Sequence, residues 1–278
     1  MSIPRFDAAQ VAQLVRDIAA TEIMPRFRAL AAHEVREKKP GDLVTVADEA
    51  AEGALIPALQ ALLPGSIAIG EEAIARDPDL LRHLDHAERP VWLIDPVDGT
   101  VNFAHGRPLF AVLLALVVGG RTVAGWIHDP LTGTMAAAES GSGAWDGERR
   151  LSVADPVPPE LMRGQIPPRL FSHEGQYELR KRGIVFHHDP EALRCAGQEY
   201  LRLVTGAWHF TGYGRLRPWD HAAGILVHQE AGGFSAYLAD RTPYHVRRGE
   251  GPVMTAPSAE CWDALLAYLR GFFKKGVT

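Results

Sequence analysis

The sequence has little of what several classes of protein require. Only two cysteines, Cys195 and Cys261, occur in 278 residues, and neither stands in the spacing of a zinc or redox motif. The formal net charge of -5 disfavours binding to nucleic acid or to an anionic membrane, since both need a basic face. We therefore expect a protein of a reducing, cytoplasmic compartment whose partner is a small molecule, without nucleic acid or membrane.

Targeting signals and several catalytic motifs are also absent from the sequence. The run MSIPRFDAAQ lacks a basic region followed by an apolar core, so we expect no secretory signal. The most apolar run, residues 109–118, is too short to span a bilayer. No Walker loop, GxSxG, HExxH or clear GxGxxG occurs, so the function must be sought in other residues.

Apolar spacing in the first half predicts helices packed on an antiparallel sheet. We expect a helix after Asp7 that bends or ends at Pro25, and a second helix that begins with a capping box of Thr45 and Asp48. Apolar runs joined by short turns predict a series of strands. These are residues 67–69, 91–94, 110–118, 122–127 and 135–138.

The proline-rich run VADPVPPELMRGQIPPRL predicts a boundary or crossover near residue 150. Beyond it, strand-like and helix-like segments alternate, including a helix over residues 221–231. We expect an α+β unit over residues 1–150 and a smaller α/β unit over residues 151–278.

The hexapeptide DPVDGT carries the strongest chemical signal. It follows an apolar strand and presents Asp95 and Asp98 with Thr100 at one edge of the predicted sheet. Gly99 permits positive φ or a close approach to a ligand, and hard oxygen ligands at this spacing suit Mg²⁺ or Mn²⁺. The alternative, an Asx turn with capping acids, explains one acidic residue better than it explains the whole hexapeptide.

Three further motifs are weaker when each is taken alone. Glu71 and Glu72 in GEEA would point in opposite directions on an extended chain, and a solvated loop explains them better than a shared site. Asp220 in WDHAAG is predicted to cap a helix, typically worth about 1 kcal/mol, rather than to bind metal. The small residues 222–224 behind it allow another element to approach closely. The pair His187 and His188 is not expected to bind metal.

In combination, these motifs resemble those of the inositol monophosphatase family. Asp48, Glu71–Glu72, DPVDGT and WDHAAG occur in the order seen in that family, and the similarity runs from about residue 38 to about residue 233. The resemblance implies a five-layered α-β-α-β-α sandwich, with the metal site where the two halves meet. It also implies a lithium-sensitive phosphomonoesterase that uses two or three Mg²⁺ ions, or Mn²⁺ as a substitute, and forms a homodimer.

The resemblance also assigns metal ligands, residue by residue. Glu71, Asp95 and the carbonyl of Val97 would hold one Mg²⁺, while Asp95, Asp98 and Asp220 would hold a second.

It assigns the remaining catalytic roles as well. Glu71 and Thr100 would activate the attacking water, with Thr100 hydrogen-bonded to Asp48. The backbone N–H groups of Gly99 and Thr100 would bind the phosphate.

The substrate stays open because the sequence departs from the family pattern at two places. RCAGQEYL has the bulky Gln198, Glu199 and Tyr200 where inositol-selective members carry small residues, and Tyr213 stands where they have a hydroxyl-binding glutamate. Gln198, Tyr213 and Arg215 are our candidates for substrate contacts. Tyr213, Arg215 and Arg217 could recognise an aromatic or more anionic substrate, although Arg215 and Arg217 are at least equally well explained as ordinary exposed charges. Histidinol phosphate, a sugar bisphosphate and a 3′-phosphonucleotide are alternative substrates, and a regulatory or binding protein is the non-enzyme alternative.

Overall fold

The computed structural model describes residues 5–85, 89–187, 189–274 and 276–277. The order of layers is helices, a large sheet, helices, a small sheet and helices, so the predicted α-β-α-β-α sandwich is confirmed. The eight helices of the described ranges are α1 (Ala8–Ile18), α2 (Val46–Leu62), α3 (Glu71–Arg76), α4 (Thr100–Ala104), α5 (His173–Lys181), α6 (Ala196–Val204), α7 (Pro218–Glu230) and α8 (Ala259–Arg270).

The first layer consists of α1 and α2, and both begin at the predicted caps. The Asp7 carboxylate accepts hydrogen bonds from the backbone N–H groups of residues 9 and 10 at 2.9 and 3.2 Å. Thr45 and Asp48 form the capping box of α2, with Thr45 N donating to Asp48 Oδ2 at 2.9 Å. After Ile18 the α1 helix widens into a π turn and then a 3-10 turn that contains Pro25, since proline cannot donate within a helix.

The large sheet has seven strands in sequential order. Its first pair is parallel and the other pairs are antiparallel, so the predicted meander is confirmed. The strands are β3 (Ile67–Gly70), β4 (Val91–Asp98), β5 (Ala111–Val118), β6 (Arg121–His128), β7 (Met135–Glu139), β8 (Ala144–Asp146) and β9 (Arg149–Arg150), and a separate hairpin of β1 (Val35–Lys39) and β2 (Asp42–Thr45) precedes them.

The small sheet has five strands in the order β11-β10-β12-β14-β13. These strands are β10 (Gly164–Ile166), β11 (Val185–Phe186), β12 (Phe210–Tyr213), β13 (Phe234–Tyr237) and β14 (Val253–Ala256). Helices α5 and α8 pack on its outer face, while α6 and α7 lie between the two sheets. Among the described residues, no helix combines the length and the apolar composition needed to cross a membrane.

Helix α7 fits between the sheets because small residues line it, as the sequence predicts. A Cβ atom added to Gly125 of β6 would lie 3.0 Å from the Cα atom of Ala223. A Cβ atom added to Gly224 would lie only 2.0 Å from Cδ2 of the buried Tyr200 ring. The helix therefore approaches the backbone of the large sheet at Gly125 and the Tyr200 ring of α6 at Gly224, with no space for a larger side chain at either glycine.

This packing predicts opposite effects for one substitution made in two helices. Gly224→Ala should lower the free energy of unfolding by about 1–3 kcal/mol, because the new methyl group overlaps the Tyr200 ring. Gly53→Ala is the matched control in α2, where a Cβ atom meets nothing within 4 Å, and it should raise stability by up to about 1 kcal/mol. Urea unfolding of both variants tests this, and shifts of equal sign would contradict the packing.

Candidate metal centre

Three carboxylates converge where three elements meet at one edge of the large sheet. Strand β3 runs parallel to β4 with Gly70 opposite Ile94, so Glu71 follows directly beside Asp95. Helix α7 contributes Asp220 from the layer between the sheets. One oxygen from each of Glu71, Asp95 and Asp220 lies within 4.8 Å of the other two. We call these three residues the acid triad.

The GEEA segment differs from its prediction as a solvated, extended loop. It forms the first turn of α3, and both Glu71 and Glu72 are buried. Successive helical residues are only about 100° apart, so the carboxylates of Glu71 and Glu72 both reach the ammonium group of Lys38. Lys38 Nζ lies 3.0 Å from Glu71 Oε1 and 2.8 Å from Glu72 Oε1. Lys38 could not be singled out from a local pattern, because its partners are distant along the chain.

The capping role predicted for Asp220 is wrong. Helix α7 begins at Pro218, Arg217 occupies the N-cap position without a side-chain hydrogen bond, and Asp220 is the third residue of the helix. Its carboxylate is therefore available to the acid triad. Arg217 itself lies beside the triad, with Nη1 at 3.6 Å from Glu71 Oε1 and Nη2 at 3.7 Å from Asp42 Oδ2.

The electrostatics of the acid triad are unfavourable without a cation. Burial raises the pKa of Asp95 well above its ordinary value, and the negative charges of Glu71 and Asp98 raise it further. Burial, followed by the charge of Glu71, likewise raises the pKa of Asp220. Converging hard oxygen donors that repel one another fit a divalent cation, because the cation offsets both the burial cost and the repulsion.

Asp98 is held differently from the acid triad. The backbone N–H of Gly197 donates to Asp98 Oδ2 at 2.6 Å, and the Cys195 thiol donates to the same oxygen at 3.1 Å. Burial raises the pKa of Asp98 to about 6, although the bond from Gly197 lowers it. The start of α6 thus fixes one oxygen of this carboxylate and leaves the other for a ligand.

Thr100 connects the hexapeptide to the cap of α2. Its hydroxyl Oγ1 lies 3.2 Å from Asp48 Oδ1 and 3.0 Å from the Val97 carbonyl oxygen. Burial raises the pKa of Asp48 to about 7, against the lowering effect of its bonds with Thr45. Gly99 has a φ of 87°, and a Cβ atom there would lie 2.8 Å from the Leu109 carbonyl oxygen, so glycine is required.

A cleft of about 980 Å³ opens from this centre, and it contains only some of the predicted substrate residues. Tyr213, Arg215 and Arg217 line it, together with Arg169, Arg194, His187 and Glu199. Gln198 does not line it, because its Nε2 donates to the Phe110 carbonyl oxygen at 3.0 Å. The neighbouring Glu199 faces the cleft instead, one residue further around α6. His188 lies outside the described residues.

Comparisons with known proteins identify the family of this chain. The model of the inositol monophosphatase family matches residues 7–265. The chain belongs to the inositol monophosphatase family. An inositol-1-monophosphatase of Mesorhizobium japonicum is 35% identical to this chain, over 72% of this chain and 74% of the relative. A fructose-1,6-bisphosphatase/inositol-1-monophosphatase of Thermotoga maritima is 32% identical over 71% and 73%.

Solved structures of the inositol monophosphatase family have the same fold. The structure of an IMPase from Thermotoga maritima matches with a TM-score of 0.77 and 25% identity, covering 95% of this chain and 96% of that one. Another relative, the Nus factor SuhB of Pseudomonas aeruginosa, is 32% identical over 85% of this chain and 86% of the relative.

The repulsion at Asp95 predicts that the order of stability of Asp95→Asn and the original protein reverses when Mg²⁺ is added. In chelator, Asp95→Asn should unfold at a higher temperature than the original protein, because it removes a buried, repelled carboxylate. Added Mg²⁺ at about 100 times its Kd should stabilise the original protein by about 2.7 kcal/mol and leave Asp95→Asn nearly unchanged. Thermal unfolding with and without Mg²⁺ measures both effects.

The matched control is Asp155→Asn, which changes an exposed aspartate. It should respond to Mg²⁺ as the original protein does. If Mg²⁺ stabilised Asp95→Asn as much as the original protein, Asp95 would not be a metal ligand.

Proposed function

We propose that this chain is a Mg²⁺-dependent phosphomonoesterase of the inositol-monophosphatase type that hydrolyses a small phosphate monoester. The observation that carries the proposal is the convergence of Glu71, Asp95 and Asp220 at the mouth of a large cleft. Family membership supports it, since relatives that share about a third of their residues with this chain are named as phosphatases of small phosphate esters.

The ligand assignment follows the family motif and fits the donor set. Glu71, Asp95 and the Val97 carbonyl would hold one Mg²⁺, and Asp95, Asp98 and Asp220 a second, with a third ion near Glu71 or with Mn²⁺ as a substitute. When bound, Mg²⁺ supplies a Lewis acid and lowers the pKa of a bound water.

The protein's own residues would orient the reactants and move the proton. Glu71 and the Thr100 hydroxyl would orient the attacking water and take up its proton, with Asp48 accepting the Thr100 hydroxyl hydrogen. The backbone N–H groups of Gly99 and Thr100 would bind the phosphate, and Gly99 offers no side chain to obstruct it. Asp95 and Asp98 are buried, and the lower local dielectric constant strengthens charge interactions there.

Other parts of the proposal depend on the resemblance and on composition. We propose that the protein forms a homodimer, is inhibited by lithium and is cytoplasmic, and that it consists of two units, residues 1–150 and 151–278.

The assignment of Asp98 predicts loss of activity on a minimal change. Asp98→Asn keeps the shape of the side chain but removes a negative charge, so turnover should fall on the order of 100-fold or more and metal binding should weaken. Phosphate release from a panel of phosphomonoesters measures this, with Mg²⁺, with chelator and with Li⁺. The exposed Asp155→Asn is the control and should turn over normally.

Near-normal turnover of Asp98→Asn would overturn the site assignment. Absence of phosphate release by the original protein with metal bound would favour the regulatory or binding alternative.

A further inference from the structure

The cleft is much larger than one phosphate group, and both negatively and positively charged side chains line it. The carboxylates of the acid triad and Asp98 line it, and so do the guanidinium groups of Arg169 and Arg215. We call Arg169 and Arg215 the arginine pair. A substrate whose phosphate lies at the carboxylates therefore presents its remaining groups toward positive charge.

The arginine pair differs from Arg217, another cation of the cleft, in having no acidic partner. Arg217 lies beside Glu71 and Asp42. Within the described ranges, the guanidinium groups of Arg169 and Arg215 form neither an ion pair nor a side-chain hydrogen bond. Both arginines are exposed at the cleft, and a guanidinium group without a counter-ion there can bind an anionic ligand from solvent.

The two guanidinium groups also act on each other. Partial burial lowers the pKa of Arg169, and the positive charge of Arg215 lowers it further. The structure thus holds two like charges close enough to repel. A bound anion would relieve that repulsion, and the planar guanidinium fork matches phosphate and carboxylate oxygens.

Backbone features hold the arginine pair in place. Arg169 lies in a 3-10 turn, Pro168–Leu170, preceded by Pro167, and both prolines restrict the backbone. Its guanidinium packs against Gly214, where an added Cβ atom would lie 2.3 Å from Arg169 Nη2. On the neighbouring segment, the carbonyl oxygen of Arg215 lies 2.9 Å from the Nε2 atom of the buried His221. The chain therefore presents the pair on restrained segments rather than on a free loop.

We propose that the substrate is a phosphate monoester that carries a second anionic group, a phosphate or a carboxylate, which Arg169 and Arg215 bind. This inference rests on the proposed function, because it places the hydrolysed phosphate at the acid triad. The buried Tyr213 agrees with it, since it stands where the family motif has a hydroxyl-binding glutamate, so a polyol without a second charge loses an acceptor.

The test compares substrates that differ only in the second anion. The pairs are 3-phosphoglycerate with glycerol 3-phosphate, and fructose 1,6-bisphosphate with fructose 1-phosphate, each with Mg²⁺. The original protein should prefer the more anionic member at least about tenfold in kcat/KM, as expected for charge-assisted hydrogen bonds. Arg169→Gln and Arg215→Gln should each reduce that ratio several-fold.

Two further variants distinguish the effect of the position of the Arg169 guanidinium from the effect of its charge. Gly214→Ala keeps every charge but displaces the Arg169 guanidinium, so it should reduce the ratio in the same direction. Arg270→Gln removes an exposed arginine on α8, outside the cleft, and should leave both members of each pair unaffected. A ratio near one in the original protein, or one that Arg169→Gln and Arg215→Gln leave unchanged, would overturn the inference.

Failure of the proposed function gives a different result. If no ester releases phosphate, that function is wrong, and calorimetric binding of the same pairs to the unreactive protein becomes the readout. Tighter binding of the more anionic member, lost in Arg169→Gln, would uphold the role of the arginine pair. Equal binding would overturn it.

Discussion

The mutual repulsion of buried carboxylates is the constraint on which the site depends. Glu71, Asp95 and Asp220 approach within 4.8 Å, and water screens them only weakly because Glu71 and Asp95 are buried and Asp220 is half-buried. Lys38 and Arg217 offset part of the charge on Glu71, but Asp95 and Asp220 have raised pKa values. A fold that maintains this arrangement loses stability locally, as is common where a site is built to bind a cation.

The rest of the structure supplies the rigidity that keeps the acid triad together. Each carboxylate comes from a different element, so the triad forms only if the layers pack in one register. Helix α7 is fixed by contacts that leave no space for a side chain, at Gly125 against Ala223 and at Gly224 against Tyr200. Such close packing restricts sliding of the helix, and it therefore fixes the position of Asp220 relative to strand β4.

The same layering separates charge along the cleft. The triad and Asp98 come from the large sheet and the helices beside it, whereas Arg169 and Arg215 lie on segments that flank strands of the small sheet. A ligand that reached from the triad to these arginines would meet charges of both signs, and such complementarity orients a ligand in addition to any affinity it provides.

Local sequence determined most of the elements and the central motif. The capping box of Thr45 and Asp48 and the strands of the large sheet follow from backbone preferences and apolar spacing within a few residues. The small residues of α7 likewise predict its close packing. DPVDGT and its companion motifs were enough to predict the family and its layered fold. These features are local or follow a known order along the chain, so the sequence specifies them directly.

Only the tertiary structure decided which side chains share the site. The start of α7 at Pro218 rather than at Asp220 released a carboxylate from capping, and the helical turn at Glu71–Glu72 brought both acids to Lys38. One step along α6 rotates a side chain by about 100°, which directs Glu199 rather than Gln198 to the cleft. Arg169 is brought to the cleft, and Lys38 to Glu71 and Glu72, by contacts between residues far apart in the chain, and local sequence patterns carry no record of those distances.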